Sequence, residues 1–133
     1  MDAEQIAVAK ACLNAAHDGS LSFPEIITRL AGAGFECYAV DYRRNAQIYY
    51  MPDGDSIELA VPHSKGVVAA TFSGAEVEKL VRWAQSNGSD YSYVAFCEKV
   101  KAAGCAGYLV SFTGRRVLYY GRTAETQVEL FPQ

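Results

Sequence analysis

Residues 102–121 hold the densest set of chemically capable side chains in this chain. They spell AAGCAGYLVSFTGRRVLYYG, with four glycines, two arginines, three tyrosines and one cysteine. Glycines beside arginines could cradle a phosphate with backbone amides and clamp it with guanidinium groups. A P-loop, however, needs the pattern GxxxxGK followed by Ser or Thr, and a dinucleotide fingerprint needs GxGxxG between a strand and a helix. The segment matches neither pattern.

The predicted elements around these glycines also argue against a phosphate site. Gly104 and Gly107 lie between a predicted helix and a predicted strand, so the nearest helix end is a C-terminus. The partial negative charge at a helix C-terminus repels anions. We therefore interpret Gly104 as the left-handed residue that ends a helix, and Gly107 as a small residue at the start of a strand.

An internal repeat accounts for this segment better than phosphate chemistry does. Residues 21–50 align without a gap with residues 91–120, and seven of the pairs are identical. Those pairs are Ser22/Ser92, Ala33/Ala103, Gly34/Gly104, Tyr38/Tyr108, Val40/Val110, Tyr49/Tyr119 and Tyr50/Tyr120. The alignment predicts a single domain over 1–133, made of repeat one (1–62), an inter-repeat segment (63–72) and repeat two (73–133).

Each repeat predicts two helices followed by three strands. Ser22 with Glu25, and Ser73 with Glu76, have the spacing of capping boxes at helix starts. Apolar residues at helical spacing follow each serine, and the first helix is predicted from about Ala3 to His17. Glycines stand where the helices should end, at positions 19, 34, 88 and 104.

The strands of each repeat predict a hairpin and a short third strand. Two-residue loops at Arg44–Asn45 and Gly114–Arg115 bring the hairpins into the same register, with a type II′ turn at Gly114. One face is then apolar and aromatic: Tyr38, Val40, Tyr42, Gln47 and Tyr49, with Tyr108, Val110, Phe112, Val117 and Tyr119. Third strands are predicted at 56–59 and 127–130. The fold class is α+β, a tandem duplication of an ααβββ unit with helices on one face of antiparallel sheet and a pseudo-two-fold axis.

The charge distribution argues against a nucleic-acid partner. The chain has 12 basic and 15 acidic side chains, a net charge of −3. Residues 1–60 hold four basic and nine acidic side chains, and residues 61–133 hold eight and six. Neither half has the dense positive charge that binds a phosphate backbone.

The remaining composition predicts a cytoplasmic protein without a metal or a cofactor. No CxxC pair is present, and a structural zinc site needs four closely specified ligands. We expect reduced thiols that serve as small core residues, at Cys12, Cys37, Cys97 and Cys105. The sequence contains neither a secretory signal nor the run of about 20 apolar residues that would span a membrane.

The segment YSYVAFCEKVKAAGCAGYLVSFTGRRVLYYGRTAETQVELFP resembles the C-terminal part of domain-of-unknown-function family 1398. SLSFPEIITRLAGAGFECYAVDY resembles the N-terminal part of the same family, so the resemblance covers nearly the whole chain. Members are small bacterial and prophage-borne proteins, some of them labelled phage envelope protein. The resemblance implies an α+β fold and a bacterial or prophage origin, and it brings no activity or catalytic residues.

Two groups of residues are candidates for a binding surface. Neighbouring residues in a strand point to opposite faces, so Tyr50 and Tyr120 should face outward if Tyr49 and Tyr119 are core. Such a face could hold a small ligand, form a homodimer interface or stack bases, although cross-strand packing alone explains tyrosines in strands. Arg115 and Arg116 should lie at a hairpin tip, where they are either simply solvated or present charge to an acidic partner.

Catalytic constellations are sparse. His63 and Glu58 are close in sequence and could form an acid–base dyad, but their spacing matches no established pattern. The repeated residues are apolar, aromatic or glycine, which favours fold determinants over an enzyme.

The sequence therefore predicts a non-enzymatic binding or interaction module with an unknown protein or small-ligand partner. The alternative is a small-ligand-binding protein or small enzyme with a pocket at the seam between the repeats, using His63, Glu58 and a tyrosine. RNA or single-stranded DNA binding on an aromatic sheet face is a further, weaker hypothesis.

Overall fold

The computed structural model describes residues 1–62 and 64–132, which form four helices and one six-stranded antiparallel sheet. The helices are α1 (Ala3–Asp18), α2 (Phe23–Gly32), α3 (Gly74–Ser86) and α4 (Tyr93–Ala102). The strands are β1 (Cys37–Asp41), β2 (Ala46–Tyr50), β3 (Ser56–Ala60), β4 (Cys105–Ser111), β5 (Arg116–Gly121) and β6 (Thr126–Leu130). The predicted α+β class is confirmed.

The sheet has the strand order β3-β2-β1-β4-β5-β6, so β1 and β4 form its central pair. Ala39 lies opposite Leu109 at the middle of that pair. One face of the sheet packs against the helices and carries the buried aromatic and aliphatic side chains. The other face, which we call the outer face, carries the alternate residues of every strand. Each hairpin therefore places its predicted apolar face on the core.

Serine hydroxyls cap the N-termini of α2, α3 and α4, and a capping box is predicted at α2 and α3. At α2 the box is complete, because Ser22 Oγ accepts from the Glu25 amide and Glu25 Oε1 accepts from the Ser22 amide. At α3 only half of it forms. Ser73 Oγ accepts from the Glu76 amide, but the Ser73 amide donates to the carbonyl of Ala103 at 2.8 Å. That bond ties the start of α3 to the end of α4.

The helix ends follow the predicted glycines with one exception. Gly19, Gly34 and Gly104 have φ of 78°, 102° and 90°. After α3, however, the left-handed residue is Asn87, with φ 46°, and not Gly88. Asparagine tolerates this conformation better than most side chains, so the helix ends one residue earlier than predicted.

The predicted two-residue hairpin loops are wrong. Asp41 pairs with Ala46, and Ser111 pairs with Arg116, so both hairpins have four-residue loops. The left-handed residue is Arg115, with φ 51°, rather than Gly114. Side chains at the strand ends explain the longer loops. Asp41 Oδ1 accepts from two loop amides, and Ser111 Oγ accepts from the Gly114 amide at 2.9 Å. The register moves by two residues, so every side chain stays on its predicted face.

Buried Lys101 ties the segment between β3 and α3 to α4. Its side chain is 3% exposed, and Nζ donates to the carbonyls of Ser64 and Gly66, each at 3.1 Å. These bonds satisfy a buried ammonium group, which would otherwise carry a large desolvation cost.

Among the residues that the structure describes, no helix is long and apolar enough to cross a membrane.

Candidate functional site

A cavity of about 570 Å³ lies between the helix layer and the sheet, where α1 and α2 meet α3 and α4. All four helices contribute to its wall, and five of the six strands contribute to its floor. Its volume is within the range of ordinary small-molecule sites, about 300–1,000 Å³. The floor is made by Tyr38, Gln47, Tyr49, Tyr108, Val117, Tyr119 and Glu129. We call this space the seam cavity.

Two pairs of tyrosine rings form the centre of the floor. Tyr38 on β1 and Tyr49 on β2 stack with ring centres 5.4 Å apart. Tyr108 on β4 and Tyr119 on β5 lie 5.3 Å apart at an interplanar angle of 39°. The Tyr38 and Tyr108 rings are perpendicular, at 90° and 6.4 Å. The four rings therefore pack closely against one another, and each is at most 6% exposed, so only a small part of each borders the cavity.

A chain of hydrogen bonds orders the polar ends of these side chains. Tyr49 donates to Gln47 Oε1 at 2.7 Å, and Gln47 Nε2 donates to the Tyr93 hydroxyl at 3.4 Å. The Tyr93 and Tyr108 hydroxyl oxygens lie 2.6 Å apart, so one donates to the other. That bond uses one of two hydroxyl hydrogens. The second has the neighbouring Tyr38 and Cys97 side chains as possible acceptors.

Glu129 gives the cavity an acidic side. Its Oε2 accepts from Gln127 Nε2 at 2.8 Å, and none of the ion pairs among residues 1–62 and 64–132 includes it. Its charge is one of the causes that raise the pKa of Tyr119, after burial of the ring. Asp18 adds a second carboxylate at the cavity wall. No lysine or arginine is found among the described residues that line the cavity.

Aromatic contacts hold the rim together across the helix seam. The His17 ring at the end of α1 meets the Tyr93 ring at the start of α4 edge-on, with centres 5.1 Å apart. Phe23, at the start of α2, meets Phe131 just beyond β6 in the same way at 5.8 Å. Phe23 is 40% exposed, so this second contact is part of the molecular surface.

Burial keeps the cavity tyrosines in their neutral form. Desolvation is the largest cause that raises the pKa of Tyr38, Tyr49, Tyr93, Tyr108 and Tyr119. At the rim, burial raises the pKa of Tyr91 to about 12. Neutral phenols bind and orient a ligand, but they do not supply the base poised near pH 7 that acid–base catalysis needs. The arrangement therefore favours binding over proton transfer.

These shifts predict alkaline unfolding. Free tyrosine ionises near a pKa of about 10, and the buried tyrosines do so only at higher pH. The unfolded chain therefore loses phenolic protons first, so the contribution of these tyrosines to the free energy of unfolding is complete below about pH 10 and is lost as the pH rises further. Phenolate absorbance and circular dichroism, followed together against pH, should show that these tyrosines ionise only as the fold is lost. Reversible ionisation of most tyrosines near pH 10 in a folded chain would contradict this.

The structure places the predicted outward tyrosines on the outer face but apart from each other. Tyr50 lies opposite Cys37 and Ser56, near one end of the strands, and Tyr120 lies opposite Gly107 at the other end. Tyr120 covers the space above Gly107, where a Cβ would lie 2.8 Å from its Cζ. Both tyrosines are half-buried. They do not form the continuous aromatic platform that stacking of several bases needs.

The other predicted site residues are also separate from the seam cavity. Arg116 is exposed on the outer face, while exposed Arg115 stacks on the Phe131 ring with its guanidinium carbon 5.6 Å from the ring centre. Glu58 forms a two-oxygen ion pair with Arg44 on the outer face, at 3.1 and 3.2 Å. Glu58 is not among the cavity-lining residues. His63 lies outside the described residues.

Sequence reasoning missed the polar residues that distinguish the cavity. The strand pattern predicts that Gln47 faces the core but gives it no role, and the predicted third strands at 56–59 and 127–130 put Glu58 and Glu129 at equivalent positions. The strand register separates the two glutamates. Glu129 lies opposite Val117 on the helix side, whereas Glu58 lies opposite Ile48 on the outer face. The sequence does carry one signal. Gln47 is a polar side chain at a core-facing position where the aligned residue, Val117, is apolar.

A second concave surface is an open groove between α1 and α2. It is lined by residues such as Gln5, Val8 and Arg29, and the Gln5 side chain donates across it to the Ala33 carbonyl. Within 1–62 and 64–132, no group of three or more His, Cys, Asp or Glu side chains is arranged to hold a metal ion.

Neither models of known protein families nor curated proteins give a match to this chain.

Proposed function

We propose that this chain is a non-enzymatic binding module that takes one small organic molecule into the seam cavity. The observation that carries the proposal is a cavity of about 570 Å³ whose floor is built from hydrogen-bonded tyrosines. Pockets of this size lined by aromatic side chains, with a few placed polar groups, are the usual form of small-molecule sites. The raised pKa values of these tyrosines favour binding over catalysis.

The proposal includes a duplicated architecture with the cavity at the junction of its halves. The support is the order of elements, ααβββ twice along the chain, and the centre of the sheet. Tyr38 lies opposite Val110, and Val40 lies opposite Tyr108, as a two-fold axis through Ala39 and Leu109 would require. In this account the repeated tyrosines build the cavity, and the unrepeated polar residues make it selective. A bacterial or prophage origin remains part of the proposal, supported by the family resemblance alone.

Binding of the neutral solvatochromic dye prodan tests the proposed function. We expect saturable binding of one dye per chain, with emission shifted towards shorter wavelength because the rings replace water around the dye. The outer-face variant Leu109→Ser is the matched control and should bind equally well, since Leu109 is 41% exposed on the face away from the cavity. No saturable binding, or binding that Leu109→Ser removes, would overturn the proposal.

A second candidate function is protein interaction through the outer face. A row of apolar side chains crosses that face without helix cover: Ile48, Ala39, Leu109, Leu118 and Val128. Leu109 and Val128 are 41% and 42% exposed. Exposed apolar rows of this kind are found at homodimer interfaces. Such a dimer would be seen by light scattering and would dissociate in Leu109→Ser.

A further inference from the structure

We infer that the ligand of the seam cavity is an organic cation, an amine or quaternary ammonium carried on an apolar body. This rests on the proposed function, because it names the class of molecule that the same cavity takes. Three features of the lining carry it: the aromatic rings, the carboxylate of Glu129, and the lack of lysine and arginine among the described lining residues.

The tyrosine rings supply the first attraction. The face of an aromatic ring is electron-rich, and a cation over it is stabilised most when both are out of water. Tyr38, Tyr49, Tyr108 and Tyr119 are each at most 6% exposed, and their rings lie at different angles around the floor. These four rings cover one another, so a cation at the floor meets only small parts of them. The aromatic lining residues with more exposed surface are Tyr91, Tyr93, Phe23 and Phe131, and a cation with an apolar body contacts those.

Glu129 supplies the second attraction. Its side chain is half-buried beside Tyr119, and one carboxylate oxygen accepts from Gln127. A partly buried carboxylate is costly unless it is paired, and no ion pair among the described residues includes this one. A bound cation would provide that partner.

Charge at the wall and rim is compatible with this choice. Asp18 lies at the wall, where its Oδ1 accepts from the Ser20 amide, but it is exposed and solvent screens its charge. His17 is engaged through Nδ1 with the Leu13 carbonyl at 2.9 Å. Arg115 reaches Phe131 at the rim, but it is exposed to solvent, which screens its charge. That contact is itself a cation on an aromatic face.

A pair of ligands that differ only in charge tests the inference. One probe is naphthylmethyl-trimethylammonium, and the other is its hydrocarbon isostere, in which carbon replaces the quaternary nitrogen. Each is titrated against prodan bound to the full chain. A cavity without charge preference favours the hydrocarbon, because the cation is more strongly hydrated. We expect the cation instead to bind about tenfold more tightly.

Glu129→Gln removes the charge and keeps the shape. In that variant we expect the affinity for the cation to fall about tenfold, while the affinity for the hydrocarbon changes less than twofold. Glu58→Gln is the matched control, because it removes the same charge from the outer face. It should change neither affinity.

The outcomes separate this inference from the proposed function. If prodan binds but the hydrocarbon binds as tightly as the cation, or Glu129→Gln leaves their ratio unchanged, the inference is overturned and the proposed function stands. If prodan fails to bind the wild-type chain, the proposed function itself is overturned. A folded Glu129→Gln variant, checked by circular dichroism, is required for the comparison.

Discussion

Replacement of Gly104 by alanine is expected to lower the free energy of unfolding by about 4 kcal/mol or more. Two causes add at this position. Its φ of 90° is strained for any residue with a side chain. A Cβ there would also overlap the carbonyl oxygen of Thr71 and lie 2.6 Å from the Cα of Phe72. These are backbone atoms, so no side-chain rotation can relieve the overlap.

Gly19→Ala is the matched control for that measurement. Gly19 also ends a helix with positive φ, 78°, but no atom lies within 4 Å of the place where its Cβ would be. It should cost only about 1 to 2 kcal/mol, the conformational part of the effect. Chemical denaturation of both variants measures the difference. Equal losses would mean that the close approach of the 71–72 backbone to α4 is absent in solution.

Ala16→Phe is expected to weaken prodan binding roughly 10- to 100-fold while leaving the fold intact. Ala16 is half-buried on α1 and lines the seam cavity, so a benzyl group there would take the place of the ligand. A buried aromatic group gives up about 1.5–3 kcal/mol of transfer free energy when it is displaced, which corresponds to roughly 10- to 100-fold in affinity. Fluorescence titration measures the loss.

The free energy of unfolding of Ala16→Phe tests whether the cavity exists. A phenyl ring forced into a packed core costs about 1–3 kcal/mol, whereas a ring that enters an existing space costs little. Ala16→Phe should therefore change the free energy of unfolding by less than about 1 kcal/mol. Ala7→Phe, on the exposed side of α1, is the matched control and should bind prodan normally. Strong destabilisation by Ala16→Phe, or unaltered binding, would contradict the account.

Local sequence signals were sufficient for most of the fold. Capping serines, helix-ending glycines and alternating apolar residues act over a few positions, so they can be recognised without the tertiary structure. The hairpin loops could not be predicted as well. Their length depends on whether Asp41 and Ser111 accept hydrogen bonds from loop amides, a choice that the residue types alone leave open. The start of α3 likewise depends on a long-range bond to Ala103.

The site was harder to predict because it depends on the packing of distant segments. The strand pattern makes Tyr50, Tyr120, Arg115 and Arg116 the candidate binding residues, since core packing does not explain residues that point outward. The tyrosines predicted in the core do lie there, and they also form the floor of a cavity that strand alternation cannot reveal. Gln47 was readable from the sequence, because it is polar where its aligned counterpart is Val117. Glu129 was not, because only the strand register shows that its counterpart is Leu59 and not Glu58.

The proposed function requires that a small molecule binds among the inward tyrosines and not on the outer face. Nuclear magnetic resonance of ring-labelled tyrosines, recorded with and without prodan, tests it most directly. We expect the ring signals of Tyr38, Tyr49 and Tyr108 to shift when prodan saturates the chain, while those of Tyr50 and Tyr120 stay in place. Shifts confined to Tyr50 and Tyr120 would contradict it and would place the functional surface on the outer face.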